Sequence, residues 1–100
     1  MSRNVNAVIE ELADAMLAGR LDQRGDATGM SPMDAATIQH INRMIDALVS
    51  PMRLAGNALE QIAHGKLPPF VVDDHRGEFN LIKQNINSLL AILYGMNGET

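Results

Sequence analysis

The stretch IQHINRMIDALVSPMRLAGNALEQI, residues 38–62, decides the fold because it carries one continuous apolar stripe. Its apolar residues recur at alternating intervals of three and four, a period typical of helices packed in coiled coils. The stripe keeps its phase across Pro51, which predicts one long helix and not two helices that meet there. Pro51 lies off the stripe, where it removes a backbone hydrogen bond and is expected to kink the helix. The stripe consists of Ile38, Ile41, Ile45, Leu48, Met52, Ala55, Leu59 and Ile62.

The residues on either side of this stretch contain signals for both ends of the long helix. Ser31 is placed to cap the amino end, Pro32 suits the first helical position, and Asp34 takes the capping-box position. We expect the helix to stop near His64, because the next residue, Gly65, tolerates the left-handed backbone conformation that ends many helices.

Two further helices are predicted, one before and one after the long helix. The first begins near Asn4 and ends at Gly19. Asp73 or Asp74 is placed to cap the last helix, and Glu78 puts a negative charge in its first turn, which suits the positive end of the helix dipole. No stretch shows the alternation of apolar and polar residues that is typical of a strand, so the sequence predicts an all-α fold.

The two halves of the chain resemble each other at a separation of 45–46 residues. Ala18-Gly19-Arg20-Leu21 parallels His64-Gly65-Lys66-Leu67, and Ile41-Asn42 parallels Ile86-Asn87. The order of helix, glycine, connector and helix therefore occurs twice, with the long helix shared. A repeat of this length is typical of an array of supersecondary units.

Two long connectors, residues 20–33 and 66–77, join the predicted helices. Antiparallel helices are usually joined by roughly 2–8 residues, and these connectors are longer. An extended connector of this length can run back along its helix and start the next helix in the same direction. Two parallel helices per unit leave an open apolar seam, which two chains together would close as a four-helix bundle.

Composition and motifs argue against several classes of function. Twelve acidic and eight basic residues give a net charge of −4, and the basic residues form no stripe, so we expect no nucleic-acid partner. The absence of cysteine excludes disulfides and thiolate metal sites and fits a reducing compartment. The three histidines lack the spacing of a helical metal site, and no nucleophile, triad, phosphate loop or cofactor motif is present. We therefore predict no enzyme, no metal, no cofactor and, since no apolar run is long enough, no membrane insertion in this segment.

Residues 41–87 resemble the HAMP domain, in the concatenated form of methyl-accepting chemotaxis receptors. The resemblance implies a parallel four-helix coiled coil made by a homodimer, in which each chain contributes two helices and a connector. The residues that carry it are Gly65, Leu67 and Val71 in the order Gly-x-Leu-x-x-x-Val, Gly77-Glu78-Phe79 at the start of a helix, and Pro51 at the head of the preceding one.

The resemblance further implies two HAMP-like units stacked through the shared long helix, a divergent one at residues 4–50 and a second one at residues 51–97. Gly19 and Leu21 match the start of the connector motif in the first unit. The second connector anchor there falls on Gly25, which has no side chain to pack. No proline heads the first helix of that unit, and Pro32-Met33-Asp34 replaces the Gly-Glu-Phe of the second unit.

The function that the resemblance implies is a non-catalytic relay of conformational change between a sensor and a kinase-control output in a bacterial chemoreceptor-type transducer. Pro51 would mark the junction of the units, and the carboxylate of Glu78 would accept backbone N–H groups near the helix starts. The partners would be a second copy and the adjacent sensor and output domains of the parent receptor. We expect a cytoplasmic location, in a membrane-anchored or a soluble receptor, and a chain that is an excised piece of that receptor.

Three alternatives stay open at this point. A structural coiled-coil dimerisation module without a switching role would show the same apolar stripe. A small antiparallel helical bundle could serve as a binding domain. The parent could also be a histidine kinase, although the wording GEFNLIKQNIN, residues 77–87, favours a receptor.

Overall fold

The computed structural model of the chain describes residues 4–72 and 75–98. No strand occurs within these residues, so the predicted all-α fold class is confirmed. The caps expected at Asp73 and Asp74 lie outside the described residues. The helices are α1 (Val5–Leu17), α2 (Pro32–Ala63) and α3 (Glu78–Gly98).

Side-chain caps begin the first two helices. Asn4 Oδ1 accepts the backbone N–H of Asn6 at 2.8 Å at the start of α1. Ser31 Oγ accepts the backbone N–H of Asp34 at 3.2 Å at the start of α2. The first N–H groups of a helix have no acceptor within the helix, so each cap satisfies one of them. Both helix starts agree with the sequence prediction.

The long helix α2 is a single element of 32 residues that includes Pro51. The prediction of one long helix is therefore confirmed. Proline has no backbone N–H, so the carbonyl of Ala47 lacks its usual helical partner. Although Pro51 lies off the apolar stripe, it is buried, and burial of its ring offsets part of the lost hydrogen bond.

The carboxyl ends of α1 and α2 have the same geometry. Gly19 and Gly65 follow these ends with φ angles of 80° and 79°, in the left-handed region that favours glycine. Each end forms the two backbone hydrogen bonds of a Schellman motif. These bonds run from Gly19 N–H to Met16 O (3.0 Å) and Arg20 N–H to Ala15 O (2.8 Å), and from Gly65 N–H to Ile62 O (3.0 Å) and Lys66 N–H to Gln61 O (2.8 Å).

The chain divides into two compact units, unit 1 up to Ser50 and unit 2 from Pro51. The segments between the helices, residues 18–31 and 64–77, are called here the first and second connector. Each unit contains one connector and the helical segments on both sides of it, and α2 contributes residues to both units.

Each unit has its own apolar cluster. The members of the unit 1 cluster come from α1 and the first part of α2, and those of the unit 2 cluster come from the last part of α2 and from α3. The cluster of unit 1 is Val8, Leu12, Ile38, Ile45 and Val49. The cluster of unit 2 is Ala58, Ile86 and Leu90, with Ala55, Ile62 and Val71 packed against it.

The apolar stripe of α2 is only partly buried within one chain. Leu48, Met52 and Leu59 belong to the stripe and are 54%, 53% and 50% exposed. Val49 and Ala58, each next to a stripe position, are buried in its place. A helix that packs on neighbours from its own chain buries only the flank of the stripe that faces them. The stripe is therefore not a uniformly buried seam in a single chain.

Candidate functional site

The residues predicted to anchor the connectors begin at the glycine that follows each helix. In unit 2, Gly65 ends α2, Leu67 is half-buried, and Val71 packs on the apolar cluster. In unit 1, Gly19 ends α1 and Leu21 packs on the apolar cluster of that unit. Each connector thus leaves its helix through a left-handed glycine, and it reaches the apolar cluster at Leu21 in unit 1 and at Val71 in unit 2.

A side chain of α3 holds the second connector by its backbone. The Asn87 amide accepts the N–H of Val71 at 2.8 Å and donates to the C=O of Val71 at 2.9 Å. The pair of bonds reproduces the pairing of a neighbouring strand, and it needs one donor and one acceptor on the same short side chain. We call this arrangement the Asn87 clamp.

The same clamp occurs in unit 1. The Asn42 amide accepts the N–H of Gly25 at 2.8 Å and donates to the C=O of Gly25 at 3.0 Å. The repeat of Ile41-Asn42 at Ile86-Asn87 is evident in the sequence, but no role was predicted for the asparagines. The repeat itself was the available signal. A polar residue next to a core position, at the same place in both halves, indicates that it makes the same hydrogen bonds in each half.

Gly25 lies against the apolar cluster of unit 1. A Cβ atom built on it would meet Ile38 Cγ2 at 2.7 Å, Val8 Cγ1 at 3.1 Å and Leu12 Cδ1 at 3.2 Å. The first connector therefore packs with its backbone, and helix side chains fill the space that a connector side chain takes in unit 2. Gly25 has no side chain to pack, as the sequence shows, but side chains of α1 and α2 pack closely against its backbone.

At equivalent positions of the two units, the large and the small residue are exchanged between the helix and the connector. A spacing of 46 residues relates Leu12 to Ala58 and Gly25 to Val71. In unit 1 the large side chain is on the helix and the small residue on the connector, and in unit 2 the order is reversed. Protein cores are packed close to the density of organic crystals. The side-chain volume on each connector is therefore complementary to that on the helix it packs against.

A second polar contact holds the first connector to α2. The guanidinium of Arg24 donates to the carbonyls of Leu21 and Gln23, each at 2.6 Å. It also bonds Asp46 of α2, with Arg24 Nε and Nη2 both 2.8 Å from Asp46 Oδ1. The arginine therefore satisfies connector carbonyls and ties them to the helix at once.

Unit 2 satisfies carbonyls in the same part of its connector with a different side chain. The hydroxyl of Tyr94 donates to the carbonyl of Pro68 at 2.6 Å and lies 3.3 Å from that of Leu67. Its ring contacts Phe70 with centroids 5.4 Å apart at an interplanar angle of 60°, a tilted arrangement that aromatic pairs favour. The sequence predicted neither the arginine nor the tyrosine contact, because nothing in the local pattern marks them.

Comparison with known protein families identifies the second connector and its helices. The family model of the HAMP domain matches residues 35–95. The chain belongs to the HAMP family. The match begins in α2, includes the second connector and ends in α3, while residues 4–34 lie outside it. Searches of curated proteins and of solved structures returned no significant match.

Family membership gives the general role of the site. HAMP domains are signal-relay modules of transducer proteins and are generally non-catalytic. Among the residues that the structure describes, no group of histidines and carboxylates is arranged to hold a metal ion. No helix in the same residues is long and apolar enough to cross a membrane.

The two remaining HAMP positions singled out from the sequence are Pro51 and Glu78. Pro51 is buried within α2, and Glu78 is exposed in the first turn of α3, directly after Gly77 with its φ of 57°. Within residues 4–72 and 75–98 the carboxylate of Glu78 makes no hydrogen bond. The contact of Glu78 with backbone N–H groups near the helix starts stays a prediction.

Proposed function

We propose that this chain is a tandem HAMP relay, with one unit at residues 4–50 and a second at residues 51–97. The relay transmits conformational change between a sensor and a kinase-control output in a chemoreceptor-type transducer. The observation that carries the tandem arrangement is the repeated clamp, in which Asn42 holds Gly25 as Asn87 holds Val71. The family match covers unit 2, and the same connector geometry in unit 1 supports the same role there.

The proposed assembly is a parallel homodimer, and the exposed part of the apolar stripe supports it. Leu48, Met52 and Leu59 of α2 are about half exposed, and Ile82 and Leu89 of α3 are 40% and 37% exposed. Aligned exposed apolar side chains of this kind mark surfaces that a partner covers. A second copy in the same orientation offers the same stripe, and two helices from each chain complete a four-helix bundle.

The proposed relay needs two arrangements of this bundle that are close in energy. A sensor biases them by rotating, shifting or splaying the helices at one end, and a packed bundle responds by exchanging one packing for another. The helix α2 supports this transmission because it contributes residues to both units. The proposed junction of the units is at Pro51. In the dimer, the carboxylate of Glu78 would accept hydrogen bonds from the backbone N–H groups near the helix starts.

Disulfide crosslinking tests the proposed assembly, and the absence of native cysteine makes the experiment clean. Cysteine at Met52, at Leu59 or at Leu89 is expected to crosslink to the same position of the second copy in all three variants. In an antiparallel dimer the two copies meet at one level only, so at most one of these variants would crosslink. Arg53→Cys, exposed and off the stripe, is the matched control. A stable folded monomer at micromolar concentration in analytical ultracentrifugation would refute the dimer.

A second experiment tests the relay itself. In a parent transducer, substituting Met52 or Leu59 by larger or smaller apolar residues is expected to shift kinase output, because the stripe sets the balance between the two packings. Arg53→Ala leaves the stripe unchanged and is expected to leave the output unchanged. A flat response to every substitution at Met52 and Leu59 would favour the alternative, a coiled-coil dimerisation module without a switching role.

A further inference from the structure

The second connector contains two consecutive valines, and one of them serves as its anchor. Val71 packs on the apolar cluster of unit 2, and the Asn87 clamp holds its backbone. Val72 carries the same side chain and is 83% exposed. The chain thus presents an identical side chain next to the one in use.

The Asn87 clamp does not distinguish the two valines. Its bonds go to the backbone N–H and C=O of Val71, which every residue except proline carries. A shift by one residue along an extended segment turns the alternate side chains inward, and here the side chain that turns inward is identical to the one it replaces. Backbone pairing and anchor chemistry therefore both accept Val72.

Unit 2 has open space beside the clamp. A groove of about 310 Å³ runs between the second connector and the last part of α2. Its lining is mostly apolar and also includes Asn57 and Gln61 of α2, so an apolar connector side chain that moves along it meets no charged group. The lining includes Leu54, Ala58, Pro69, Phe70, Val71 and Val72.

The first connector has no such freedom. Gly25 is flanked by Arg24, which is bonded to Asp46, and by Asp26, whose carboxylate accepts the N–H and hydroxyl of Thr28. A shift by one residue would bring a charged side chain to a place where even a Cβ atom has no room. The register of the first connector is therefore unique.

We propose that the second connector slips by one residue, so that Val72 replaces Val71 both on the apolar cluster and in the Asn87 clamp, while the first connector stays in place. The shift moves the segment by about 3.3 Å, the rise of one extended residue. It also separates the ring of Phe70 from Tyr94 in their present contact. This inference rests on the proposed relay function: unit 2 supplies the two positions, and unit 1 a fixed reference.

Relaxation-dispersion NMR of the 100-residue chain tests the slip directly. The amides of Val71 and Val72 are expected to show microsecond-to-millisecond exchange, the range of register shifts and local opening. Val72→Ser removes the second anchor and should abolish this exchange, whereas Val72→Ile keeps it. The amide of Gly25 is the internal control and should show no such exchange. Exchange that is missing in the unsubstituted chain, or that persists unchanged in Val72→Ser, overturns the proposal.

Hydrogen exchange of a second variant provides an independent measurement. In Val71→Ser the slipped register becomes the stable one, so protection should fall about tenfold at residue 71 and rise about tenfold at residue 72, the effect of one hydrogen bond. Adding Val72→Ser should remove protection at both positions. If residue 71 keeps its protection in Val71→Ser, or the double variant behaves as Val71→Ser alone, the slip does not occur.

These measurements use the chain alone and so separate the slip from the relay. Absence of the slip, with a kinase output that still responds to stripe substitutions, overturns the slip and leaves the relay standing. A slip in the chain together with a flat kinase output supports the register shift and overturns the relay function on which its role rests.

Discussion

Asn87 binds the backbone N–H and C=O of Val71, at 2.8 Å and 2.9 Å, and so holds the second connector to α3 through its backbone. Asn42 treats Gly25 in the same way in unit 1. The backbone contact is shared by the units, and the side-chain contacts around it differ. Because the clamp bonds only backbone groups, it does not select the anchor residue, which is valine in unit 2 and glycine in unit 1.

Replacing Asn87 by alanine is expected to destabilise the chain by about 1–3 kcal/mol, because the partly buried N–H and C=O of Val71 lose their partner. Urea unfolding at one fixed chain concentration measures the change, since self-association would add a concentration term. Asn85→Ala is the matched control, an exposed asparagine on the same helix. Equal stability of the two variants would contradict a structural role of the clamp.

Gly25→Ala is expected to cost about 1–3 kcal/mol, because the new Cβ atom would overlap Ile38 Cγ2 at 2.7 Å. The φ angle of Gly25 is not positive, so backbone strain does not enter. Thermal unfolding measures the loss. Gly56→Ala lies inside α2 with open space around it and should stabilise the chain by up to about 1 kcal/mol.

A double-mutant cycle tests whether the loss at Gly25 comes from this overlap. Ile38→Ala alone removes a fully buried side chain and should cost about 2–5 kcal/mol. Combined with Gly25→Ala, the total loss should fall short of the sum by about 1 kcal/mol, because the new methyl group enters the vacated space. Strict additivity would show that the two positions are independent.

The sequence predicted the helices of this chain better than the contacts that hold its connectors. Helix ends depend on signals within a few residues, and Ser31, Pro32 and Gly65 all act as expected. The Asn87 clamp joins residues 16 positions apart, so it depends on the path of the connector, which no local pattern fixes.

The buried flank of α2 was also beyond prediction. An alternation of three and four residues marks an apolar stripe but does not say which neighbour covers which side of it. Val49 is therefore buried within the chain while Leu48, which belongs to the stripe, is exposed.

The resemblance of residues 41–87 to the HAMP domain is confirmed by a match over residues 35–95.

Gly19→Ala and Gly65→Ala are expected to destabilise the chain by similar amounts, about 1–2 kcal/mol each. Both glycines adopt left-handed φ angles, 80° and 79°, which cost that much for a residue with a Cβ atom. Neither position has an atom within 4 Å of the added carbon, so no overlap contributes. Thermal unfolding of both variants measures the effect, and a loss at one position only would show that the two helix ends are not equivalent.

Arg24→Ala should destabilise the chain by about 1–3 kcal/mol, and Asp46→Ala should cost less than about 1 kcal/mol. The arginine donates to two connector carbonyls, and leaving the partly buried carbonyl of Leu21 without a donor is the larger cost. The carboxylate is 66% exposed, so its ion pair is weak and screened by salt.

Urea unfolding at low ionic strength and at 1 M salt separates the contribution of the ion pair from that of the carbonyl contacts. The Asp46→Ala effect should vanish at high salt, whereas most of the Arg24→Ala effect should remain. If salt abolishes both losses equally, the ion pair and not the carbonyl contacts holds the first connector.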